Sequence, residues 1–224
     1  MPTLLATERM TLRPITMEDV DVLVALDSDP EVMRFISGGK PSTRAETERI
    51  VQRSLGHRWL GFERESGKFV GWFGIRPSTA TSRELGYRLR REAWGQGLAT
   101  EGARAVIAVA FAQPGVDRVR AETMAVNTAS RAVMERCGLR FVRAFRLESD
   151  EPITGTELGE VEYEITKSEW ESDESRMTTL GVVTSDKDPA SKPQTPAPKS
   201  DGPKEVEDAA EQEIEYPEDE TNEG

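Results

Sequence analysis

Seven short segments of the chain carry the hydrophobic pattern of β-strands. Apolar residues alternate with polar ones, or β-branched residues are frequent, and turn residues bound each segment. Ser66-Gly67 lies between two of these segments and predicts a hairpin. The predicted strands are residues 6–13, 58–64, 68–75, 83–90, 116–126, 141–147 and 160–166.

Four other segments predict helices. Thr16-x-x-Asp19 and Thr43-x-x-Glu46 resemble helix N-termini, because a threonine followed three residues later by an acid can cap the first turn. Pro30 and Gly38-Gly39 interrupt the pattern between them. The order of strands and helices predicts an α/β fold in which helices flank a mixed sheet. The predicted helices are residues 16–26, 43–55, 100–113 and 127–137.

A glycine-containing loop, Trp94-Gly-Gln-Gly-Leu-Ala-Thr100, joins a predicted strand to the most apolar helix. Glycine lets the backbone approach a ligand closely, and the free amides of the first helical turn attract anions. A P-loop is excluded, since Leu98 and Ala99 stand where it requires lysine and serine or threonine. A dinucleotide-binding pattern is disfavoured because Thr100 occupies the third glycine position. The loop therefore predicts a site for another phosphorylated cofactor.

Three motifs together resemble the GCN5-related N-acetyltransferase (GNAT) superfamily. The segment from Trp94 to Ala99 looks like its pyrophosphate loop, and Asn127-x-x-Ser130 followed by Gly138 resembles its next motif. The opening Thr7-Glu-Arg-Met-Thr-Leu-Arg-Pro14 is similar to the RimJ/RimL branch of ribosomal-protein N-terminal acetyltransferases. Trp94 replaces the usual Gln or Arg, as is common in that branch. The resemblance covers roughly residues 5–171 and implies a mostly antiparallel central sheet flanked by helices.

The resemblance implies acetyl-CoA as co-substrate and direct transfer of its acetyl group to a primary amine, such as a protein N-terminal α-amine. The cofactor arm is expected to lie along the strand before the loop, and the pyrophosphate against the backbone amides of the loop. The expected cofactor-binding residues are Tyr87, Arg88, Leu89, Gly95, Gln96, Gly97, Leu98, Ala99, Thr100 and Asn127.

Two residues are candidates for catalysis. Glu84 is the candidate base, with an exposed or ion-paired strand carboxylate as the alternative. Many GNAT members use a tyrosine four residues before the glycine that ends the second motif as the general acid that protonates the leaving thiolate. Met134 stands at that position in this chain. Ser130 resembles the serine assigned that role in RimL-like enzymes, and hydrogen bonding at the helix N-terminus is its alternative. An α-amine has a reference pKa of about 7.7–8.0 against about 10.4 for lysine, so it needs only a modest base.

Two other functions compete with N-terminal acetylation. The chain is alternatively a CoA-binding module with little turnover that acts through an acidic tail. It is alternatively an acetyltransferase of a small-molecule amine, such as an amino sugar, a polyamine or an antibiotic. Turnover with a panel of amines separates these alternatives.

The negative charge of the chain is concentrated at one end. The 224 residues contain 29 Lys and Arg against 41 Asp and Glu, a net charge of −12, and residues 172–224 carry 15 acidic and 5 basic residues of these. That segment also holds six prolines and one aromatic residue, Tyr216, so it cannot bury enough apolar surface to fold alone. We predict an acetyltransferase domain over residues 1–171 and a disordered, acidic, Pro-rich tail over residues 172–224.

The remaining composition excludes several classes of function. Cys137 is the single cysteine and His57 the single histidine, which argues against an intrachain disulfide and a His/Cys zinc site. The longest apolar run, residues 105–112, is too short for a membrane span, and no signal sequence opens the chain. We expect a cytoplasmic protein that binds no nucleic acid, membrane or metal. The sequence leaves open whether the chain forms a homodimer.

Overall fold

An eight-stranded mixed sheet organises the computed structural model, which describes residues 3–147 and 152–177. The strand order is β1-β2-β3-β4-β5-β6-β8-β7, and every neighbouring pair is antiparallel except β5 and β6. The predicted mostly antiparallel sheet is thus confirmed. The strands are β1 (Leu5–Ala6), β2 (Met10–Pro14), β3 (Arg58–Glu63), β4 (Phe69–Pro77), β5 (Ser82–Leu89), β6 (Arg118–Met124), β7 (Arg140–Phe145) and β8 (Glu160–Thr166).

The parallel strands β5 and β6 are paired only where they begin. Their register joins Ser82 to Arg118, Arg83 to Val119 and Glu84 to Arg120, and no further pair follows. Strand β5 nevertheless continues to Leu89 and remains paired with β4 along its other edge. The two strands therefore part after Glu84, which leaves one backbone edge of residues 86–89 without a partner strand.

Among the described residues, six α-helices cover the two faces of the sheet in separate apolar clusters. The first three pack with Leu60 and Trp72 on one face, whereas the later three pack with Phe73 and Tyr163 on the other. Successive side chains of a strand point to opposite faces, which explains why neighbours such as Trp72 and Phe73 join different clusters. The helices are α1 (Val20–Asp27), α2 (Pro30–Ser37), α3 (Arg44–Ser54), α4 (Leu98–Ala112), α5 (Thr128–Arg136) and α6 (Lys167–Met177).

Capping residues start the helices where the sequence indicates. Thr43 and Glu46 form a reciprocal capping box at α3, in which the Glu46 carboxylate accepts a 2.7 Å hydrogen bond from the Thr43 backbone N–H. Thr16 and Asp19 form the same box at a short 3-10 turn that leads into α1. Both predicted N-termini are confirmed.

The structure differs from the predictions in three places. The predicted strand 6–13 is two strands, β1 and β2, because the chain turns between Thr7 and Met10, whose backbones bond at 2.8 Å. Pro30, interpreted as an interruption, is instead the first residue of α2, capped by the Asp29 side chain. Helix α6 was not predicted, although Thr166 and Glu169 form a capping box at its start.

The described residues end within the predicted tail. Helix α6 passes through residue 171, the predicted domain boundary, and continues to Met177. The prediction for the rest of the tail, residues 178–224, lies outside the described residues. Within residues 3–147 and 152–177, no helix is both long enough and apolar enough to cross a bilayer.

Candidate active site

A cavity of about 1220 Å³ lies beside the loop between β5 and α4. Its walls come from the β1–β2 turn, α2, the end of β5, the loop, α4, α5 and α6. Ten of the twelve predicted site residues line it; the exceptions are Glu84 and Leu98. The ten are Tyr87, Arg88, Leu89, Gly95, Gln96, Gly97, Ala99, Thr100, Asn127 and Ser130.

The loop between β5 and α4 is held in a tight turn. Gly95 and Gly97 have φ values of 72° and 79°, in the left-handed region that favours glycine. The Trp94 indole N–H donates to the Leu89 carbonyl at 2.9 Å, and the Gln96 side-chain amide donates to the Glu92 carbonyl at 2.5 Å. These bonds fix the loop to the strand before it.

The N-terminus of α4 presents unpaired backbone amides. Gly97 is the N-cap and has no side chain with which to cap them. The first helical bond runs from the Glu101 N–H to the Gly97 carbonyl at 3.1 Å, so the amides of Leu98, Ala99 and Thr100 have no acceptor within the helix. The Leu98 side chain is buried in the core, which leaves only its backbone amide for a ligand. Free amides at the positive end of a helix dipole fit a phosphate group.

Two hydroxyl groups meet where β5 and α5 line the cavity. The Tyr87 hydroxyl on β5 lies 2.9 Å from Ser130 Oγ and donates to the Ser130 carbonyl at 3.0 Å. Burial raises the pKa of Tyr87 above its usual range, so its hydroxyl stays protonated. The Asn127 side chain caps α5 by accepting from the Ser130 N–H at 3.2 Å and donates to Thr123 Oγ1 at 3.1 Å. Ser130 thus lies at the N-terminus of α5 with its hydroxyl beside the cavity.

Glu84 lies outside the cavity lining, at the point where β5 and β6 part. Its carboxylate accepts two hydrogen bonds of 2.7 Å from Arg76, and Arg120 approaches it to 3.5 Å. The structure therefore contains the ion-paired arrangement that was the alternative to a base. The assignment of Glu84 as the base stays a prediction.

Arg88 belongs to a buried charged cluster next to the cavity. Its guanidinium bonds the Asp27 carboxylate at 2.5 Å, while its Nε is buried without a partner. Arg58 lies 3.9 Å above the ring of Trp72, and Arg88 lies 5.6 Å from the same ring. Burial, together with the charge of Arg88, lowers the pKa of Arg58 to about 10, although the charge of Asp27 opposes this shift. The predicted contact of Arg88 with the cofactor thus competes with a partner on α1.

Four further arginines line the cavity and were not predicted: Arg9, Arg34, Arg104 and Arg136. Arg104 on α4 donates to the Arg136 carbonyl on α5 at 2.5 Å, and its Nε is buried without a partner. Thr100, Arg104 and Ala108 all line the cavity at four-residue spacing. Residues at that spacing share one face of a helix, so a sequence signal for Arg104 existed.

Cys137 is a core residue, as its place before Gly138 indicates, and burial raises the pKa of its thiol to about 12. A raised pKa keeps the thiol protonated, and the thiolate is the reactive form. We expect a thiol-specific disulfide reagent to modify the folded chain more than about a hundredfold slower than the urea-unfolded chain. Equal rates in the two states would contradict the burial of this thiol.

A metal site has no support within residues 3–147 and 152–177. That part of the chain contains no group of three or more His, Cys, Asp or Glu residues placed to hold an ion.

A curated relative shares much of this sequence. FsC-acetyl coenzyme A-N(2)-transacetylase from Aspergillus fumigatus is 39% identical over 183 residues, which cover 74% of this chain and 77% of that protein.

Solved structures share the fold. One is an acetyltransferase of the GNAT family from Bacillus anthracis, with a TM-score of 0.63 and 23% sequence identity. The superposition covers 74% of this chain and 99% of the Bacillus anthracis chain. Another is RimL, a ribosomal α-N-protein acetyltransferase solved in complex with coenzyme A, with a TM-score of 0.59 and 17% sequence identity. The superposition covers 71% of this chain and 94% of the RimL chain. Membership of the RimJ/RimL branch stays a prediction.

The family model of the acetyltransferase (GNAT) domain matches residues 9–140. That range begins at the turn before β2 and ends at the start of β7, so it includes the parted strands, the glycine loop and the capped helix α5. Taken with the free amides at α4, this match shows that the chain belongs to the GNAT family of acetyltransferases.

Proposed function

We propose that this N-acetyltransferase transfers the acetyl group of acetyl-CoA to a primary amine of a small molecule, and that FsC is the first acceptor to test. The observation that carries the proposal is the 39% identity with a transacetylase whose name specifies FsC and the N(2) nitrogen. The protein N-terminus favoured by the sequence motifs is the competing acceptor.

The cofactor is proposed to lie along the cavity from the loop toward β5. The free amides of Leu98, Ala99 and Thr100 are suited to its diphosphate. The unpaired edge of residues 86–89 can accept an extended amide-containing arm in the manner of an added strand. Arg104 and Arg136 line the cavity beyond the first turn of α4 and supply positive charge for further phosphate oxygens.

Ser130 is proposed as the hydrogen-bond donor to the thiolate sulfur of CoA, which leaves as the amine nitrogen bonds the acetyl carbon and the carbon–sulfur bond breaks. Acetyl-CoA supplies an acetyl group activated as a thioester. Tyr87 stays protonated, and its single proton has two acceptors within reach, the Ser130 carbonyl at 3.0 Å and Ser130 Oγ at 2.9 Å. When that proton turns to Oγ, the serine proton is free to point into the cavity. This hydroxyl pair takes the place of the donor that Met134 cannot provide, because Met134 is buried and has no acidic proton.

The acceptor is proposed to be an amine of low pKa. Both oxygens of Glu84 already accept bonds from Arg76, so the carboxylate at the fork of β5 and β6 is not free. An α-amine, with a reference pKa of about 7.7–8.0, is partly neutral at physiological pH, whereas a lysine amine near 10.4 is almost fully protonated. Acceptors of the first kind need the least help from a base.

Loss of the hydroxyl pair should reduce turnover without weakening cofactor binding. We expect Ser130→Ala to lower kcat about a hundredfold and Tyr87→Phe about tenfold, with the Kd for acetyl-CoA changed less than about threefold. The double variant should be no slower than Ser130→Ala, because Tyr87 acts through Ser130. Stopped-flow or steady-state thiol release measures kcat, and calorimetry measures the Kd.

Matched variants test whether any hydroxyl would have the same effect. Thr128→Ala removes an exposed hydroxyl from the same helical turn, and Tyr163→Phe removes a tyrosine hydroxyl that bonds Glu135 away from the cavity. Both should retain full turnover. Unchanged kcat in Ser130→Ala would remove this residue from the mechanism.

The acceptor is tested with the full-length chain, acetyl-CoA and three amines. FsC, a lysine-free peptide with a free N-terminus, and spermidine are compared by thiol release and by mass of the acetylated product. We expect kcat/KM for FsC to exceed that for the other two by at least about tenfold. Higher turnover of the peptide would favour N-terminal acetylation, and no turnover of FsC would overturn the proposal.

A further inference from the structure

The β1–β2 turn is bound directly to the first turn of α4. Glu101 Oε1 accepts hydrogen bonds from Thr7 Oγ1 at 2.5 Å and from the Arg9 backbone N–H at 2.8 Å. Glu101 Oε2 accepts from Arg9 Nε at 2.7 Å. A carboxylate that accepts three bonds from one turn fixes that turn relative to the helix.

The Arg9 guanidinium also contacts the glycine loop. Its Nη1 donates to the Gln96 carbonyl at 2.8 Å, and its Nη2 lies 2.7 Å from Glu101 Oε2. A Cβ added to Gly97 would lie 3.4 Å from the same Nη2. One side chain therefore joins the loop to α4, and Arg9, Gln96, Gly97 and Glu101 all contribute to the lining of the cavity.

Glu101 creates an electrostatic conflict at this position. Its side chain is 13% exposed and lies in the first turn of α4, beside the amides proposed to hold the cofactor diphosphate. A carboxylate is favourable at the N-terminus of an empty helix, but it repels a phosphate bound at the same end. The site needs a cation that offsets the charge of Glu101 and holds its carboxylate in place.

We propose that Arg9 is the positioning residue that makes the α4 N-terminus competent for a diphosphate, both by neutralising Glu101 and by fixing the loop through the Gln96 carbonyl. The inference rests on the proposed location of acetyl-CoA at this helix. It assigns a role to the Thr7-Glu-Arg9 motif, which lies 87 to 94 residues before its contacts.

The proposal is tested by a double-mutant cycle on acetyl-CoA affinity, measured calorimetrically with the full-length chain. We expect Arg9→Ala to weaken the Kd by about tenfold or more, since it leaves the Glu101 charge unopposed near the phosphates. Glu101→Gln should bind at least as tightly as the unsubstituted chain. Arg9→Ala/Glu101→Gln should recover most of the loss, which a purely structural role for Arg9 would not produce.

Salt supplies a second readout that separates charge from loop geometry. Added salt screens the repulsion between Glu101 and the phosphates. The difference in acetyl-CoA affinity between Arg9→Ala and the double variant should therefore shrink as ionic strength rises. Arg91→Ala is the matched control. Arg91 neighbours the loop in sequence, lies 3.9 Å from Asp29 and is absent from the lining of the cavity. Its removal should change the Kd less than about threefold.

Each outcome bears on the proposal. The proposal would be overturned if Arg9→Ala weakened acetyl-CoA affinity equally in the unsubstituted chain and in the Glu101→Gln variant. That result would indicate direct contact between Arg9 and the phosphates. Where Arg9→Ala proves unstable to urea, Glu101→Gln alone decides, because a loss of more than about tenfold in that variant would contradict repulsion. Absence of acetyl-CoA binding in the unsubstituted chain would overturn the proposed function together with this inference.

Discussion

Replacing Asp27 with alanine is expected to lower the free energy of unfolding by about 3–5 kcal/mol. The carboxylate is buried and bonds the Arg88 guanidinium, whose side chain is only 16% exposed. Its removal leaves Arg88 and Arg58 against one Trp72 ring without a counter-charge. An uncompensated buried cation is among the most destabilising changes a single substitution makes. Equilibrium unfolding in urea measures the loss.

Two further variants separate burial from charge. Asp21→Ala removes an aspartate from an ion pair with Arg44 in which the side chains are 80% and 59% exposed, and should cost less than about 1 kcal/mol. Asp27→Ala/Arg88→Met should recover part of the stability lost in Asp27→Ala, because the double variant removes the unpaired charge at position 88 and leaves that of Arg58. A cost for Asp27→Ala no larger than that for Asp21→Ala would refute the argument.

Gly97→Glu is expected to weaken acetyl-CoA binding by more than about a hundredfold. Gly97 has a φ of 79°, which strains any residue with a Cβ, and its neighbouring amides are the proposed phosphate site. A glutamate there adds a negative charge where the phosphates are expected. Calorimetric titration with acetyl-CoA measures the loss, with NAD as a ligand that should not bind either protein.

The matched control is Gly56→Glu. Gly56 also has a positive φ, of 88°, and no atom lies within 4 Å of the position that a Cβ would take, so the same strain and charge are introduced away from the cavity. Its Kd should match that of the unsubstituted chain. Gly97→Ala then separates strain from charge. Retention of full affinity by a folded Gly97→Glu variant would move the cofactor away from α4.

Local signals in the sequence predicted most of the secondary structure. Strand β8, Glu160–Thr166, has the predicted boundaries, since its apolar residues alternate without interruption. The Thr43–Glu46 capping box marked the start of α3, because both of its bonds lie within four residues. Helix α6 was missed although Thr166 and Glu169 offered the same signal, because Trp170 is the one large buried side chain of its described portion.

Contacts between distant segments set the limit of prediction at the site. The glycine loop could be read from Gly95 and Gly97, since turn geometry is local. The partners of Glu101 and Arg88 could not, because Arg9 lies 92 residues from the first and Asp27 lies 61 residues from the second. Nothing in the spacing of these residues indicates which ion pairs form once the chain folds.

Because β5 and β6 separate after a short paired stretch, the sheet consists of two halves joined at only a few residues. Three backbone register pairs, the last between Glu84 and Arg120, connect strands β1–β5 to strands β6–β8. Beyond them, the side chains of α4 bridge the halves by packing on both β5 and β6. A ligand arm bonded along residues 86–89 would occupy the edge of β5 that has no partner strand. Because a ligand that binds only the folded chain stabilises it, the free energy of unfolding should then rise with the concentration of the bound cofactor.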